Sequence, residues 1–172
     1  FLIKHDSKGP VFFIQERVGR DGKIFKIIKF RTMDTIQHSS SKVSVKGDSR
    51  VTKIGVLLRR YKLDELPELI NVLLGHMSFV GPRPDVPGYA DKLVGYNRKI
   101  LKLRPGITGP ASLKYSNEEE ILVQKNNPQL YNDQVIFPDK VKINLDYYQN
   151  QSIWLDIKII FATLVRIFLS DK

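Results

Sequence analysis

The stretch Leu63-Asp64-Glu65-Leu66-Pro67-Glu68-Leu69-Ile70-Asn71-Val72-Leu73-Leu74-Gly75 organises the reading of the whole chain. Asp64 is a good N-cap residue, Pro67 falls in the first turn where its missing N–H does no harm, and Gly75 stands at the far end as a C-cap. The pattern predicts a helix with Leu66, Leu69, Ile70, Leu73 and Leu74 as its buried face. Upstream, Ile54, Leu57, Leu58 and Tyr61 recur at helical spacing from Val51. Downstream, Met77-Ser78-Phe79-Val80 is strand-like. Gly81-Pro82-Arg83-Pro84 and Arg104-Pro105-Gly106-Ile107-Thr108-Gly109-Pro110 read as shaped loops, with a helix expected between them over Tyr89 to Leu101.

Nearer the start, Val11 to Gln15 and Ile24 to Phe30 are rich in β-branched and aromatic residues. Gly19-Arg20-Asp21-Gly22 between them supplies the positive φ values of a tight connection, so the pair reads as a β-hairpin. After Met33 the chain turns polar through Ser39-Ser40-Ser41 to Asp48, a predicted mobile loop. Helical pattern returns over Glu118 to Gln124, Asp139 to Tyr148 and Ile153 to Leu169. Trp154, Ile157, Phe161, Leu164, Val165 and Phe168 share one face of the last helix, which suits either a core or a membrane interface. The fold class is α+β: a small β-hairpin or sheet with several surrounding amphipathic helices.

At 172 residues the chain fits a single domain, here taken as residues 1–172. Its net charge of +10 points to an anionic partner: nucleic acid, anionic lipid or a phosphorylated small molecule. The excess is uneven, +8 over residues 1–65, +4 over 66–116 and −2 over 117–172. The anion site is therefore expected in the first two thirds. The absence of cysteine excludes a disulfide framework, a thiolate metal site and a cysteine nucleophile. Ile153 to Leu169 is broken by Asp156, Lys158 and Arg166 and falls short of the roughly 20 apolar residues of a membrane span. The chain begins on Phe1 rather than Met, and a further N-terminal segment is expected to precede it.

The densest chemical cluster is Arg59-Arg60-Tyr61-Lys62-Leu63-Asp64-Glu65. Two adjacent carboxylates at a helix start serve either as cap and dipole partners, or as a nucleophile or magnesium ligand at a phosphoryl group. Period 2 places Lys29 and Arg31 on one face of the second hairpin strand, as an anion clamp or as a charged strand edge. Arg83, stiffened between two prolines, suits bidentate phosphate binding, and Arg104 before Pro105-Gly106 follows the same logic. His5, His38 and His76 lack ligand spacing and read as surface residues.

Four motifs together resemble one family, the bacterial sugar transferases, monotopic phosphoglycosyl transferases. They are Lys29-Phe30-Arg31-Thr32-Met33; Leu63-Asp64-Glu65-Leu66-Pro67; Asn71-Val72-Leu73 with Gly75 and Met77-Ser78-Phe79-Val80-Gly81-Pro82-Arg83-Pro84; and Arg104-Pro105-Gly106-Ile107-Thr108-Gly109. Trp154-Leu155-Asp156-Ile157-Lys158 matches as well. The resemblance implies a monotopic, membrane-associated catalytic domain at the cytoplasmic face of the inner membrane, whose re-entrant anchor helix precedes Phe1. It implies transfer of a phospho-sugar from a UDP-sugar to undecaprenyl phosphate with release of UMP, as the first membrane step of exopolysaccharide, glycan or glycoprotein assembly. Asp64 is then the nucleophile that carries a covalent phospho-sugar, Glu65 its catalytic partner, and Mg2+ the cofactor, with Asp64 as a metal ligand. Lys29, Arg31, Arg59, Arg83 and Arg104 are the candidate phosphate donors.

Membrane lipid is an expected partner, nucleic acid is not, and assembly into oligomers is left open. The sequence departs from the family pattern at Lys62, where Ser or Thr is common, at His76, where an acidic residue is usual, and over Pro110 to Tyr115. Residues 117–140 read as a subfamily-specific excursion. The competing class is a basic nucleic-acid-binding domain, which predicts a basic stripe with aromatic stacking positions. A third class is an inactive member used for assembly, against which Asp64, Glu65 and Arg83 stand.

Overall fold

A computed structural model describes residues 1–34 and 49–169. The expected loop from Met33 to Asp48 lies, from residue 35 onward, outside the described residues, as does His38. The chain opens with α1 (Leu2–Asp6), followed by the hairpin β1 (Phe12–Val18) and β2 (Ile24–Phe30). The strands pair antiparallel with Ile14 opposite Ile28, and Asp21 (φ 58°) and Gly22 (φ 81°) supply the left-handed residues of the connection. Then come α2 (Lys53–Arg60), a short 3-10 turn over Leu63–Glu65, α3 (Glu68–Leu73) and β3 (Ser78–Val80). Two 3-10 segments, β4 (Gly106–Thr108), α4 (Pro110–Lys114), α5 (Glu118–Val123) and α6 (Pro128–Tyr131) follow. A π-helical stretch, Asn132–Ile136, leads into α7 (Phe137–Asn150), and α8 (Ile153–Leu169) ends the fold. The α+β class is as expected.

Two local expectations change. The helix foreseen over Tyr89 to Leu101 is two 3-10 segments, Ala90–Lys92 and Gly95–Lys102, because Val94 is extended and Gly95 has φ 58°. The second Pro/Gly loop contains a strand, since β4 pairs parallel with β3, Ser78 opposite Gly106 and Val80 opposite Thr108. The glycines of the two loop motifs make this pairing close enough. A Cβ on Gly81 would stand 2.3 Å from the Arg104 carbonyl oxygen, and one on Gly109 would stand 2.2 Å from the Gly81 carbonyl oxygen. The loop holding Arg83 is thus zipped backbone to backbone onto the second motif.

One core cluster joins Val18, Ala90, Ile100, Leu101 and Val141, and another joins Val80, Tyr147 and Ile159. The segment 117–140 is folded into this body, with Leu122 and Ile136 buried. No helix among the described residues is long and apolar enough to cross a membrane.

The largest correction concerns α3. Asp64 lies in the 3-10 turn, and Pro67 occupies the N-cap position of the helix that follows. Leu66, Leu69, Ile70, Leu73 and Leu74, expected to be the buried face, are all exposed, Leu73 at 86%. Apart from Pro67, the buried residues of the stretch are Glu65, Glu68 (1% exposed) and Asn71 (1% exposed), a polar stripe at spacing i, i+3, i+6. Amphipathic spacing identifies a stripe, and here the polar side of it is the one turned inward.

Candidate active site

The turn that carries the two carboxylates begins at Lys62, a non-glycine residue with φ 54°. That conformation costs about 1 kcal/mol and breaks the chain out of α2 so that Leu63–Glu65 can coil under the sheet. The start of α2 is fixed by Thr52 Oγ1, which accepts from Gly55 N at 3.0 Å, and by Asp6 Oδ2, which accepts from Ile54 N at 2.8 Å. Asn71 stitches α3 to the free edge of β2. Its Oδ1 accepts from Ile28 N at 3.1 Å and its Nδ2 donates to the Lys26 carbonyl at 2.8 Å. The strand is thereby registered against the helix, and Lys29 reaches the carboxylates.

Lys29 Nζ donates to Glu65 Oε1 at 2.9 Å and lies 3.1 Å from Glu68 Oε1. Arg83, delivered by its proline-flanked loop, donates to the same Glu65 oxygen. Burial pushes the Glu65 carboxyl up, but Arg83 and Lys29 outweigh burial and hold it well below the ordinary carboxylate range. Glu65 is a fixed anion. Glu68 shares Lys29 but has no arginine of its own, and burial together with the Glu65 charge raises it. Asp64 is raised too, by burial and by Glu65, against the pull of Lys29, Lys62 and Arg83.

The Oδ1 atom of Asp64 is buried without a hydrogen-bond partner among the described residues. An uncommitted hard oxygen of this kind fits Mg2+, which binds through one or two carboxylates plus substrate phosphates and water. Among the described residues no group of three or more acidic or histidine side chains could hold a metal by itself. Phosphate oxygens and water would complete the shell around Asp64.

The proposed phosphate donors part company. Lys29 and Arg83 join the carboxylates, while Arg59 lines the same cleft, its Nε donating to Thr32 Oγ1 at 3.0 Å and its Nη1 lying 3.9 Å from Glu119. Arg31 also lines the cleft, but it is 4% exposed and spends its guanidinium on Ser7 Oγ and O and on the Pro10 carbonyl, so it tethers α1 to β2. Arg104 is exposed and lies outside the cleft. Three participants escaped sequence reading. Glu68 stands one helical turn from Glu65, a spacing that could have revealed it. Arg17 donates to the Pro84 carbonyl at 3.1 Å and to Gln15 Oε1 at 2.6 Å. Asp85, raised to about 6 by burial, follows Arg83 by two residues.

Most of these groups line a cleft of about 2900 Å3 whose lining mixes charged and apolar side chains. The charged lining includes Arg17, Lys29, Arg59, Asp64, Glu65 and Arg83, and the apolar lining includes Leu66, Leu69, Phe79, Ile160, Leu164 and Phe168. Part of the apolar lining comes from α8, whose Trp154, Ile157, Phe161 and Phe168 are exposed while Ile159 is buried. Chemically the arrangement offers a carboxylate with a free oxygen beside fixed cations, with an apolar surface in reach.

A family model described as bacterial sugar transferase matches residues 1–170. The "UDP-glucose:undecaprenyl-phosphate glucose-1-phosphate transferase" of Klebsiella pneumoniae is 41% identical over 176 residues, covering 99% of this chain and 35% of that protein. The "Exopolysaccharide production protein PSS" of Rhizobium leguminosarum bv. phaseoli is 40% identical over 173 residues, covering 95% of this chain and 80% of that protein. A "UDP-N-acetylgalactosamine-undecaprenyl-phosphate N-acetylgalactosaminephosphotransferase" of Aeromonas hydrophila is 36% identical, covering 95% of this chain and 36% of that protein. The chain thus spans about a third of the length of several of the curated relatives it matches.

Proposed function

Because the chain belongs to the bacterial sugar transferase family, we propose that it is the catalytic part of a phosphoglycosyl transferase, moving a sugar phosphate from a UDP-sugar to undecaprenyl phosphate. The observation that carries this reading is that Asp64 lines a cleft whose lining includes both cationic side chains and apolar ones. A nucleotide sugar needs the first, and an acceptor with a charged head and a long hydrocarbon tail needs both.

In the first half-reaction an Asp64 carboxylate oxygen attacks the phosphorus nearest the sugar. The P–O bond to the other phosphate breaks, and UMP leaves with the bridging oxygen. In the second, a phosphate oxygen of undecaprenyl phosphate attacks the same phosphorus and releases the Asp64 carboxylate. Burial that raises Asp64 makes it a better nucleophile once a cation has offset the cost of its charge. Arg83 and Lys29 supply fixed positive charge around the phosphoryl oxygens while Glu65 keeps both cations in place. Arg59 is a further donor. Mg2+, held by Asp64 and phosphate oxygens, would withdraw charge from the diphosphate. The reading places the protein at the cytoplasmic face of the inner membrane, in contact with lipid and without a nucleic-acid role, at the first membrane step of glycan or exopolysaccharide assembly.

The test is UMP release from a panel of UDP-sugars with undecaprenyl phosphate and Mg2+. Wild type is expected to turn over at least one donor, and Asp64→Asn none. Equal turnover by Asp64→Asn would remove the nucleophile from this account. Salt-sensitive retention on DNA with no UMP from any donor would favour a nucleic-acid module.

A further inference from the structure

Between the hairpin, α3 and the Arg83-Pro84 loop lies a small cavity of about 10 Å3, room for the centre of one water molecule. It is lined by Arg17, Ile27, Lys29, Glu68, Arg83 and Pro84, so four of its six walls carry charge. Two of those side chains have a buried polar atom with no well-formed hydrogen bond among the described residues. Arg17 uses both terminal nitrogens on Pro84 and Gln15, and its Nε has no hydrogen-bond partner. Glu68 Oε1 lies in ion-pair range of Lys29 but makes no well-formed hydrogen bond. One atom is a donor and the other an acceptor. A half-satisfied buried polar network costs more than an apolar one, and a polar cavity of this size is where a structural water is retained.

We propose that this cavity holds one ordered water that accepts from Arg17 Nε and donates to Glu68, and that Arg17 and Glu68 are thereby positioning residues that keep Lys29 and Arg83 on Glu65. Arg17 anchors the Pro84 carbonyl, which immediately follows Arg83, and Glu68 holds the far side of Lys29. Joined through the water, they brace the two cations, one from β1 and one from α3. The kinetic part of this proposal rests on the proposed transferase reaction, and the structural part does not.

Three measurements test it. A crystal structure at a resolution that shows ordered water is expected to place one within hydrogen-bond distance of both atoms. In thermal melting, Arg17→Met and Glu68→Leu are each expected to lower Tm, and the double variant to lower it by clearly less than the sum, the mark of a shared network. In UMP release, Glu68→Leu is expected to lose about tenfold or more in kcat with KM for the UDP-sugar changed by about twofold at most, as small misplacements of supporting groups do. Glu68→Gln, which preserves shape and hydrogen bonding, should recover most of that loss. A dry cavity, additive melting shifts, or a folded Glu68→Leu with wild-type kcat would each overturn the proposal. Absence of UMP release by wild type overturns the reaction instead, and the water and the melting cycle then decide the proposal alone.

Discussion

The two sides of α3 with its preceding turn face opposite solvents from those of an ordinary amphipathic helix. Inward go Glu65, Glu68 and Asn71, while Leu66, Leu69, Ile70, Leu73 and Leu74 go outward. Each buried charge costs several kcal/mol unless it is paired, and each exposed aliphatic side chain forgoes roughly 1.5–3 kcal/mol of burial in water. Lys29 and Arg83 offset the first cost. A lipid interface would offset the second, as it does for amphipathic helices that lie in the plane of a membrane. The helix α8 shows a milder form of the same division. It buries Ile159 and ties Thr163 to Thr108 at 2.6 Å, yet leaves Trp154, Phe161 and Phe168 outside. The comparison teaches that α3 is shaped by the site on one side and by its surroundings on the other, with little left for the core.

The strongest way to break the comparison is to strip the inner side of its cations. Arg83→Met leaves Glu65 with Lys29 alone and removes a fixed donor, and UMP release is expected to fall by about 10²–10³, the range for a lost transition-state donor. Lys29→Met leaves Glu65 and Glu68 both without their common cation. It should destabilise the fold by about 3–5 kcal/mol, the cost of breaking a buried pair, read by urea unfolding. Activity retained in Arg83→Met, or stability retained in Lys29→Met, would show the inner stripe to be incidental.

The outer side is probed by Leu69→Ser/Ile70→Ser/Leu73→Ser. Because these residues are exposed, stability in water should change by only about 0.5 kcal/mol per site. Co-sedimentation with anionic vesicles should fall by tenfold or more, since about 1.4 kcal/mol is a factor of ten and several apolar side chains are lost. Unchanged vesicle binding with reduced stability would reverse the assignment of the two sides.

A smaller effect sharpens the charged lining. Asp85 is raised by burial to about 6 in the folded protein, against an ordinary value of 3.8. The folded state therefore favours its protonated form, and its ionisation destabilises the protein above that range. The penalty is relieved as pH falls from about 6 and disappears below roughly 4, where folded and unfolded chains are both protonated. Asp85→Asn is thus expected to raise Tm at pH 7, by about 2–4 °C for each kcal/mol relieved, with no gain at pH 3.5. An equal gain at both pH values would assign the effect to packing.

Much of this was legible in the residues. β-branched runs around a glycine turn specify the hairpin, and Asp64, Glu65 and Arg83 stand out by charge and by proline stiffening. The orientation of α3 was not legible, because periodicity gives the stripe and leaves open which medium it meets. The strand β4 escaped because three residues between Pro105 and Gly109 pair only through the glycine contacts with the other loop. Arg31 misled because its partners are mainly backbone carbonyls and Ser7, which no side-chain pattern announces. Arg17 and Glu68 were missed for a related reason: what joins them is a cavity between β1 and α3, visible only after both are placed.

The most direct test of the account is the mass of the intact protein after incubation with its UDP-sugar and Mg2+ but no lipid acceptor. The account predicts one equivalent of UMP released per chain and a mass gain of one sugar phosphate on Asp64, absent from Asp64→Asn and discharged when undecaprenyl phosphate is added. UMP appearing only when both substrates are present, with no mass gain on the protein, would contradict it.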